Sequence, residues 1–535
     1  MTNVWDPSCL ELPTDELLTL GGDSRSLLHT SGLTAYGTTP RVREAVPFGS
    51  CTASSPIARV RCAAGALHVE LREAARAERL EGQVRRTYEH LREELLAQLN
   101  VDPAWGVDIA LSPSGTDAEL LALLLALGDR RRPLCNVVVG PREVGSGSEV
   151  AAAGLHFDAV TPHGQAPSRG APVASDVAAC VEVQTIHLRD EDGHVCSPEE
   201  LDATTESVVN RAVAQGRRVL LHVVAHSKTG VHAPSLRVVR DLRSTHGEDL
   251  VVVVDAAQGR ISRKGLASAL QSGFLVLLTG SKFYGGPPFS GALLVPGQCD
   301  PVARDMPPIP PEFGHYFARW ELPPRWGDLG ARLPRAYNLG LLLRWGAAAE
   351  AFRAYYSVPG SARFAILRRF EENVPREYAG YPWFELDRVE PVQFPQGEER
   401  LLESKTTVFP FRVRRQAPGV DGGYLRKADL GRVAGWLNED VSRFASGATG
   451  SLRRVLAAKY HVGQPVFEGC RRHPAVLRIA LGAALVTEVG LNPLLGASLE
   501  ARLEWLDDQV RGVLAKLDWV ARHFDQLADQ QAIQP

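Results

Sequence analysis

The chain has 535 residues, 44% of them hydrophobic. At about 150 residues per domain this suggests around three domains, and one large plus one small domain fits equally well. Lys+Arg 59 against Asp+Glu 62 leaves a formal net charge of −3, which argues against a strongly basic nucleic-acid binder or an acidic tail protein. Only seven of the basic residues are lysines: Lys228, Lys264, Lys282, Lys405, Lys427, Lys459 and Lys516. Chemistry that needs a lysine therefore has few candidates. The eight cysteines (Cys9, Cys51, Cys62, Cys135, Cys180, Cys196, Cys299, Cys470) form no C-x-x-C pair, so no structural metal site is expected. The first twenty residues carry Asp6, Glu11, Asp15 and Glu16 and do not read as a signal peptide. The longest near-apolar stretch, Ala118 to Gly128, is interrupted by Glu119 and is too short to span a membrane. These features read as a cytoplasmic protein with reduced thiols and neither membrane nor nucleic-acid partners.

Residues 1–80 show no strong periodicity. Their Gly/Ser/Thr/Pro-rich pieces, Tyr36–Pro40 and Gly49–Pro56, suggest an arm of loops and short helices. From Gln83 to Leu99, apolar residues at Val84, Tyr88, Leu91, Leu95 and Leu99 have helical spacing. Apolar strands then alternate with helical segments: Asn136–Val139, Val181–Leu188, Arg218–Ala225, Leu250–Val254 and Phe274–Thr279, with helices such as Ser197–Ala214 and Leu236–Thr245 between. Continuous apolar strands separated by helices predict a mostly parallel sheet covered on both faces. A proline-rich excursion runs over the surface from Pro301 to Pro324. Beyond it the pattern predicts helices at Asn338–Tyr356, Arg363–Asn373 and Ala428–Ala445, and strands at Thr406–Val413 and Val476–Leu481. A long amphipathic helix, Leu499 to Gln530, closes the chain. The expected organisation is an arm (1–80), a large α/β domain (81–337) and a smaller C-terminal α+β domain (338–535).

Four segments carry chemistry. Ser114-Gly115-Thr116-Asp117-Ala118 starts a helix, where unpaired amides and hydroxyls can hold a phosphate and Gly115 allows close approach. His226-Ser227-Lys228-Thr229-Gly230 follows a strand, at the carboxyl edge where α/β proteins place their sites. Asp255 follows four valines, and could face a positive ring nitrogen or a metal. Lys282 follows the strand ending Leu277-Leu278-Thr279, in a glycine-rich turn. Desolvation there would lower its pKa and make it a nucleophile able to form a Schiff base. The 27 residues from Asp255 to Lys282 leave room for one helix and one strand, a βαβ step between neighbouring strand ends. Together these supply what pyridoxal 5′-phosphate (PLP) needs: a phosphate cradle, a carboxylate for the pyridine nitrogen, a donor near the ring oxygen and an imine-forming lysine.

The set resembles the fold-type-I PLP enzymes, the aspartate aminotransferase superfamily, and within it the class V aminotransferase and cysteine desulfurase branch. That resemblance covers roughly residues 85–485. It implies that Ser114, Gly115, Thr116 and Ser281 bind phosphate, that Asp255 pairs with the pyridine nitrogen, and that Gln258 sits near the ring oxygen. It implies the covalent link at Lys282, and puts Ser227 where the family has an Asn that bonds the ring hydroxyl. Val476-Leu477-Arg478-Ile479-Ala480-Leu481-Gly482 is similar to the strand whose arginine clamps a substrate α-carboxylate, so Arg478 is the expected clamp. Glu143 is a second candidate for the pocket wall. No ring-stacking aromatic is evident; His156 is the one candidate nearby.

The resemblance leaves the reaction open. A desulfurase needs a mobile-loop cysteine between the lysine and the clamp arginine, where only Cys299 and Cys470 occur. Lyase or replacement chemistry is favoured slightly over aminotransfer, because Ser227 and the long arm depart from common aminotransferase patterns. In relatives, such arms cover the partner subunit's active site. A homodimer is implied, with Tyr36 on the arm as a substrate contact. The enlarged mouth suggests a bulky amino acid, such as an S-adenosylmethionine-like one joined to a second small molecule in natural-product biosynthesis. A non-catalytic regulator is the remote alternative.

Overall fold

The computed structural model describes residues 6–129, 132–387, 389–394, 400–415, 423–445, 447, 449–466 and 475–533, with side chains to residue 529. Cys470 lies outside the described residues. Seven strands form the main sheet: β2 (Asp108–Ser112), β3 (Leu134–Val139), β4 (Val181–Ile186), β5 (Arg218–Val224), β6 (Leu250–Ala256), β7 (Leu275–Thr279) and β8 (Gly291–Val295). Their order is β2-β8-β7-β6-β5-β3-β4, parallel except where β8 runs against β2 and β7. Apart from the edge strand β4, the strands are buried almost throughout, as a sheet covered on both faces requires. The alternating strand and helix pattern is thus present. β2 and β8 went unread: DIALS is a short run opening on Asp108, and GALLV follows β7 with no helical segment between them to mark a crossover.

A second sheet has the order β1-β11-β12-β10-β9, from β1 (Val46–Phe48), β9 (Phe384–Leu386), β10 (Val408–Val413), β11 (Tyr460–Val466) and β12 (Val476–Ala480). It is antiparallel except at β1, which pairs in parallel with β11. Residues 6–80 are tied into the body of the protein. They contribute a strand to this sheet and a 19-residue helix, Ala58–Arg76, which packs on helix Leu339–Ser357. That helix escaped the periodicity reading because its buried stripe, Val60, Ala64, His68, Leu71 and Ala74, is built largely from small or polar residues. Buried Arg344 ties the segment down, donating to the carbonyls of Leu18 (3.2 Å), Leu20 and Gly21 (2.9 Å) and to that of Phe289 (2.7 Å).

The proline-rich run is not a surface excursion. Ile309, Phe313, Tyr316, Phe317, Leu322 and Trp326 are buried against helix Gly115–Leu127. That helix is apolar on every side and needs cover on its outer face as well as from the sheet. Helix Lys427–Leu437 ends eight residues before the expected Ala445, and the long terminal helix breaks at His523 into Leu499–Arg522 and Phe524–Ile533. Among the described residues no helix is long and apolar enough to cross a membrane.

Candidate active site

The carboxyl ends of β3, β5, β6 and β7 converge with the start of helix Gly115–Leu127 on a cavity of about 490 Å³. The cavity is also walled by the N-terminal segment (Arg25, Tyr36, 51–53) and by the second sheet (464–466, Arg478). Of the residues expected from the sequence, Ser114, Gly115, Thr116, Asp255, Ser281, Lys282, Arg478 and Tyr36 line it.

Local sequence explains the placement of the first group. Ser114 is the N-cap: its Oγ accepts from the Asp117 amide at 3.2 Å, and its hydroxyl donates to Oδ2 of Asp117. The first amides of the helix, at Gly115 and Thr116, have no partner within the helix and open on the cavity. A Cβ on Gly115 would sit 2.9 Å from Leu277 Cδ2, so the glycine lets the turn lie close to β7 without displacing that side chain. Asp117 is buried, and desolvation pushes its carboxyl up to about 7.

Asp255 lies at the penultimate position of β6, in register with Val224 and Leu277. Its Oδ1 accepts from the Ala257 amide at 2.9 Å. Burial raises its pKa, opposed first by the charge of Lys282. Lys282 sits three residues beyond β7, and burial lowers its pKa against the opposing pull of Asp255. Among the described residues its amine has neither a hydrogen bond nor an ion pair within 4 Å. Arg478, on β12, donates to the Lys228 carbonyl (3.2 Å), to Thr52 Oγ1 (3.0 Å) and to the Gln464 carbonyl. It thus joins the second sheet to the main-sheet edge and the N-terminal segment.

Three expected residues do not line the cavity. Ser227 is closed into its own turn: its hydroxyl donates to Glu143 Oε2 (2.7 Å), and its Oγ accepts from the amides of Thr229 and Val231, both at 3.1 Å. Glu143 is held behind the wall by Arg189, at 2.7 Å, and Arg189 also meets Asp387 at 2.9 Å. Gln258 donates to the Cys51 carbonyl (3.1 Å) and accepts from Arg260 Nη1 (3.1 Å). Arg260 extends that lock to Ser50 Oγ (2.8 Å) and Thr407 Oγ1 (2.9 Å). His156 pairs with the Tyr316 hydroxyl (2.7 Å) and is likewise absent from the wall.

Sequence reasoning missed Arg25, Glu119 and Lys228. Arg25 pairs with Asp23 and stands 5.5 Å from the centre of the Phe289 ring. Glu119 is buried in an otherwise apolar helix, and desolvation holds its carboxyl well above the usual range. Its Oε2 has no hydrogen-bond partner among the described residues. Lys228 was quoted only as part of a turn, yet burial pushes its pKa down to about 7 with help from Lys282 and Arg478. A signal existed for two of them: Glu119 interrupts a leucine and alanine run, and Lys228 follows a buried strand just as Lys282 does. Nothing local marks Arg25. Among the described residues no group of three or more His, Cys, Asp or Glu could hold a metal ion.

No protein-family model matches the chain, and no curated protein matches it in sequence. Solved structures do match in shape. A NifS-like protein superposes with a TM-score of 0.51 at 13% identity, over 88% of this chain and 99% of its own. C-DES with glycine covalently linked to its PLP cofactor gives 0.52 at 13% identity, over 88% and 97%. The cystine C–S lyase C-DES, in complex with its product cysteine persulfide, gives 0.51 at 15% identity, over 88% and 98%. At such identities the likeness concerns architecture, and by that measure the chain has the fold of the fold-type-I PLP-dependent enzymes.

Proposed function

We propose that this chain is a PLP-dependent enzyme acting on an amino acid, working as a homodimer. One observation carries the reading. A half-buried amine without a partner among the described residues, Lys282, and a buried carboxylate, Asp255, end adjacent parallel strands and share one cavity with a capped helix start. The donor set fits the cofactor. Ser114, Gly115, Thr116 and Ser281 would hold the phosphate, Asp255 the pyridine nitrogen, and Lys282 the aldehyde carbon. When bound, PLP supplies an electron sink for charge developing at the substrate α-carbon.

The protein's own groups do the rest. Arg478, fixed by three acceptors, orients the α-carboxylate. The Lys282 amine, its pKa lowered by desolvation, takes a proton from the α-carbon and returns it. Gln258, Ser227 and Glu143 act behind the wall: Gln258 anchors the segment carrying Cys51 and Thr52, while Ser227 and Glu143 shape the turn carrying Lys228. Carbon–heteroatom elimination or replacement is favoured over transamination. Tyr36 brings a phenol hydroxyl to the cavity wall, a group that can give a proton to a leaving group. Transamination has no use for such a donor.

The test is covalent trapping. Protein incubated with PLP, reduced with borohydride and digested should carry the pyridoxyl group on Lys282, and Lys282→Ala should not be labelled. Lys228, with its depressed pKa, is the real competitor, and finding the label there would refute the assignment. Product release independent of any keto-acid acceptor supports elimination or replacement; strict dependence on one would make the enzyme an aminotransferase.

A further inference from the structure

The cavity is more cationic than a cofactor and one carboxylate require. Arg25, Lys228, Lys282, Lys427 and Arg478 line it, against the carboxyls of Glu119 and Asp255. Burial pushes the Glu119 carboxyl well above the usual range, which weakens it as a counter-charge to these cations. Asp23 meets the charge of Arg25. A bound cofactor phosphate brings nearly two negative charges, and a substrate α-carboxylate brings one. Asp255 is committed to the pyridine nitrogen, so the wall still holds surplus positive charge.

The surplus has a location. The Lys228 amine makes no hydrogen bond or ion pair within 4 Å among the described residues. Its own backbone carbonyl accepts from Arg478 at 3.2 Å, so the two cationic residues adjoin on one side of the cavity. Like charges brought together in a partly desolvated site are costly unless an anion lies between them. The pKa of Lys228 is lowered first by desolvation, and the charges of Lys282 and Arg478 lower it further. Resting on the PLP reading above, we propose that the amino-acid substrate carries a second acidic group, received by Lys228 while Arg478 holds the α-carboxylate. The same charge distribution disfavours an S-adenosylmethionine-like substrate, whose sulfonium would enter a field of its own sign.

The experiment uses PLP-loaded protein and two matched pairs, L-aspartate with L-asparagine and L-glutamate with L-glutamine. Binding is read as the change in the cofactor's visible absorption. One acid should bind at least tenfold more tightly than its amide. Lys228→Met should weaken that acid by about 30-fold or more, the loss expected when one partner of a desolvated charge pair is removed. The amide should change less than about threefold, and Lys228→Arg should keep the preference for the acid. Retention of the visible band by Lys228→Met shows that its site is intact. Equal binding of acid and amide, or equal losses for both in Lys228→Met, overturns the proposal while leaving the cofactor reading in place. Wild-type protein that takes up no PLP overturns both.

Discussion

Gly291→Ala tests whether the phosphate turn is positioned from the far side of the sheet. Gly291 opens β8, in register with Ser112 and Thr279, and does not line the cavity. A Cβ there would sit 2.4 Å from both the carbonyl carbon and oxygen of Ser114, and 2.9 Å from the Gly115 nitrogen. Ordinary carbon contacts need about 3.5 Å or more, so roughly 1 Å must be found. No side chain can turn away to provide it, because all three atoms belong to the backbone. Overpacking of this kind costs about 1–3 kcal/mol, and the upper end is expected here. Moving the helix start also spoils charge-assisted hydrogen bonds to phosphate, each worth about 1.5–3 kcal/mol, so the PLP dissociation constant should rise about 10- to 100-fold. Absorbance titration of cofactor-free protein with PLP measures that constant, and thermal melts of the same samples measure stability. Unchanged affinity with unchanged melting would refute the claim that β8 sets the turn. Gly431→Ala is the control: it lies within helix Lys427–Leu437 with nothing within 4 Å of its new Cβ. It should leave PLP affinity alone and stabilise the protein by about 0.5–1 kcal/mol.

Other expectations follow from single buried groups. Arg344→Met strands four carbonyls, three of them on the N-terminal segment. It should cost about 3–5 kcal/mol and expose residues 6–30 to limited proteolysis, read by mass spectrometry. Lys516→Met removes an ammonium that donates to the carbonyls of Leu437, Glu439 and Ala458, where the ends of two helices meet, and should cost about 3 kcal/mol in chemical denaturation. Lys228 has a folded-state pKa near 7 against an ordinary 10.5. Between those values the unfolded chain holds the proton more tightly, so this group makes cofactor-free protein more stable as pH rises from 7 toward 10.5. Its neighbours Lys282, Arg478, Arg25 and Glu143 remain in Lys228→Met, so the difference between the two stability–pH curves isolates it. Parallel curves across that window would show that Lys228 is not desolvated.

The main architecture was legible in the sequence because the central parallel strands β5, β6 and β7 are nearly continuous apolar runs closed by polar turns. Asp255 and Lys282 stood out for the same reason: a charged residue directly after such a run has to lie at the sheet edge. Ser114 could be read because N-capping is local, needing only its own helix. Cover for the all-apolar helix, by contrast, came from a proline-rich segment nearly two hundred residues away, and no periodicity in that segment announced it.

Which polar residues face the cavity was settled by competition that only the folded chain defines. Ser227, Glu143 and Gln258 have suitable chemistry, but Arg189 and the Cys51 carbonyl reach Glu143 and Gln258 from distant parts of the chain, Glu143 in turn takes the Ser227 hydroxyl, and neighbouring Arg260 takes the Gln258 side-chain oxygen. Lys228 ends in the wall without such a partner, Glu119 keeps its Oε2 without one, and Arg25 arrives on a segment whose path is set by Arg344. The sequence alone determined where the strands end and which charged groups sit on those ends. The tertiary structure decided which of these groups keep an open valence toward the cavity, because a buried polar atom takes whichever partner the packing brings within about 3 Å.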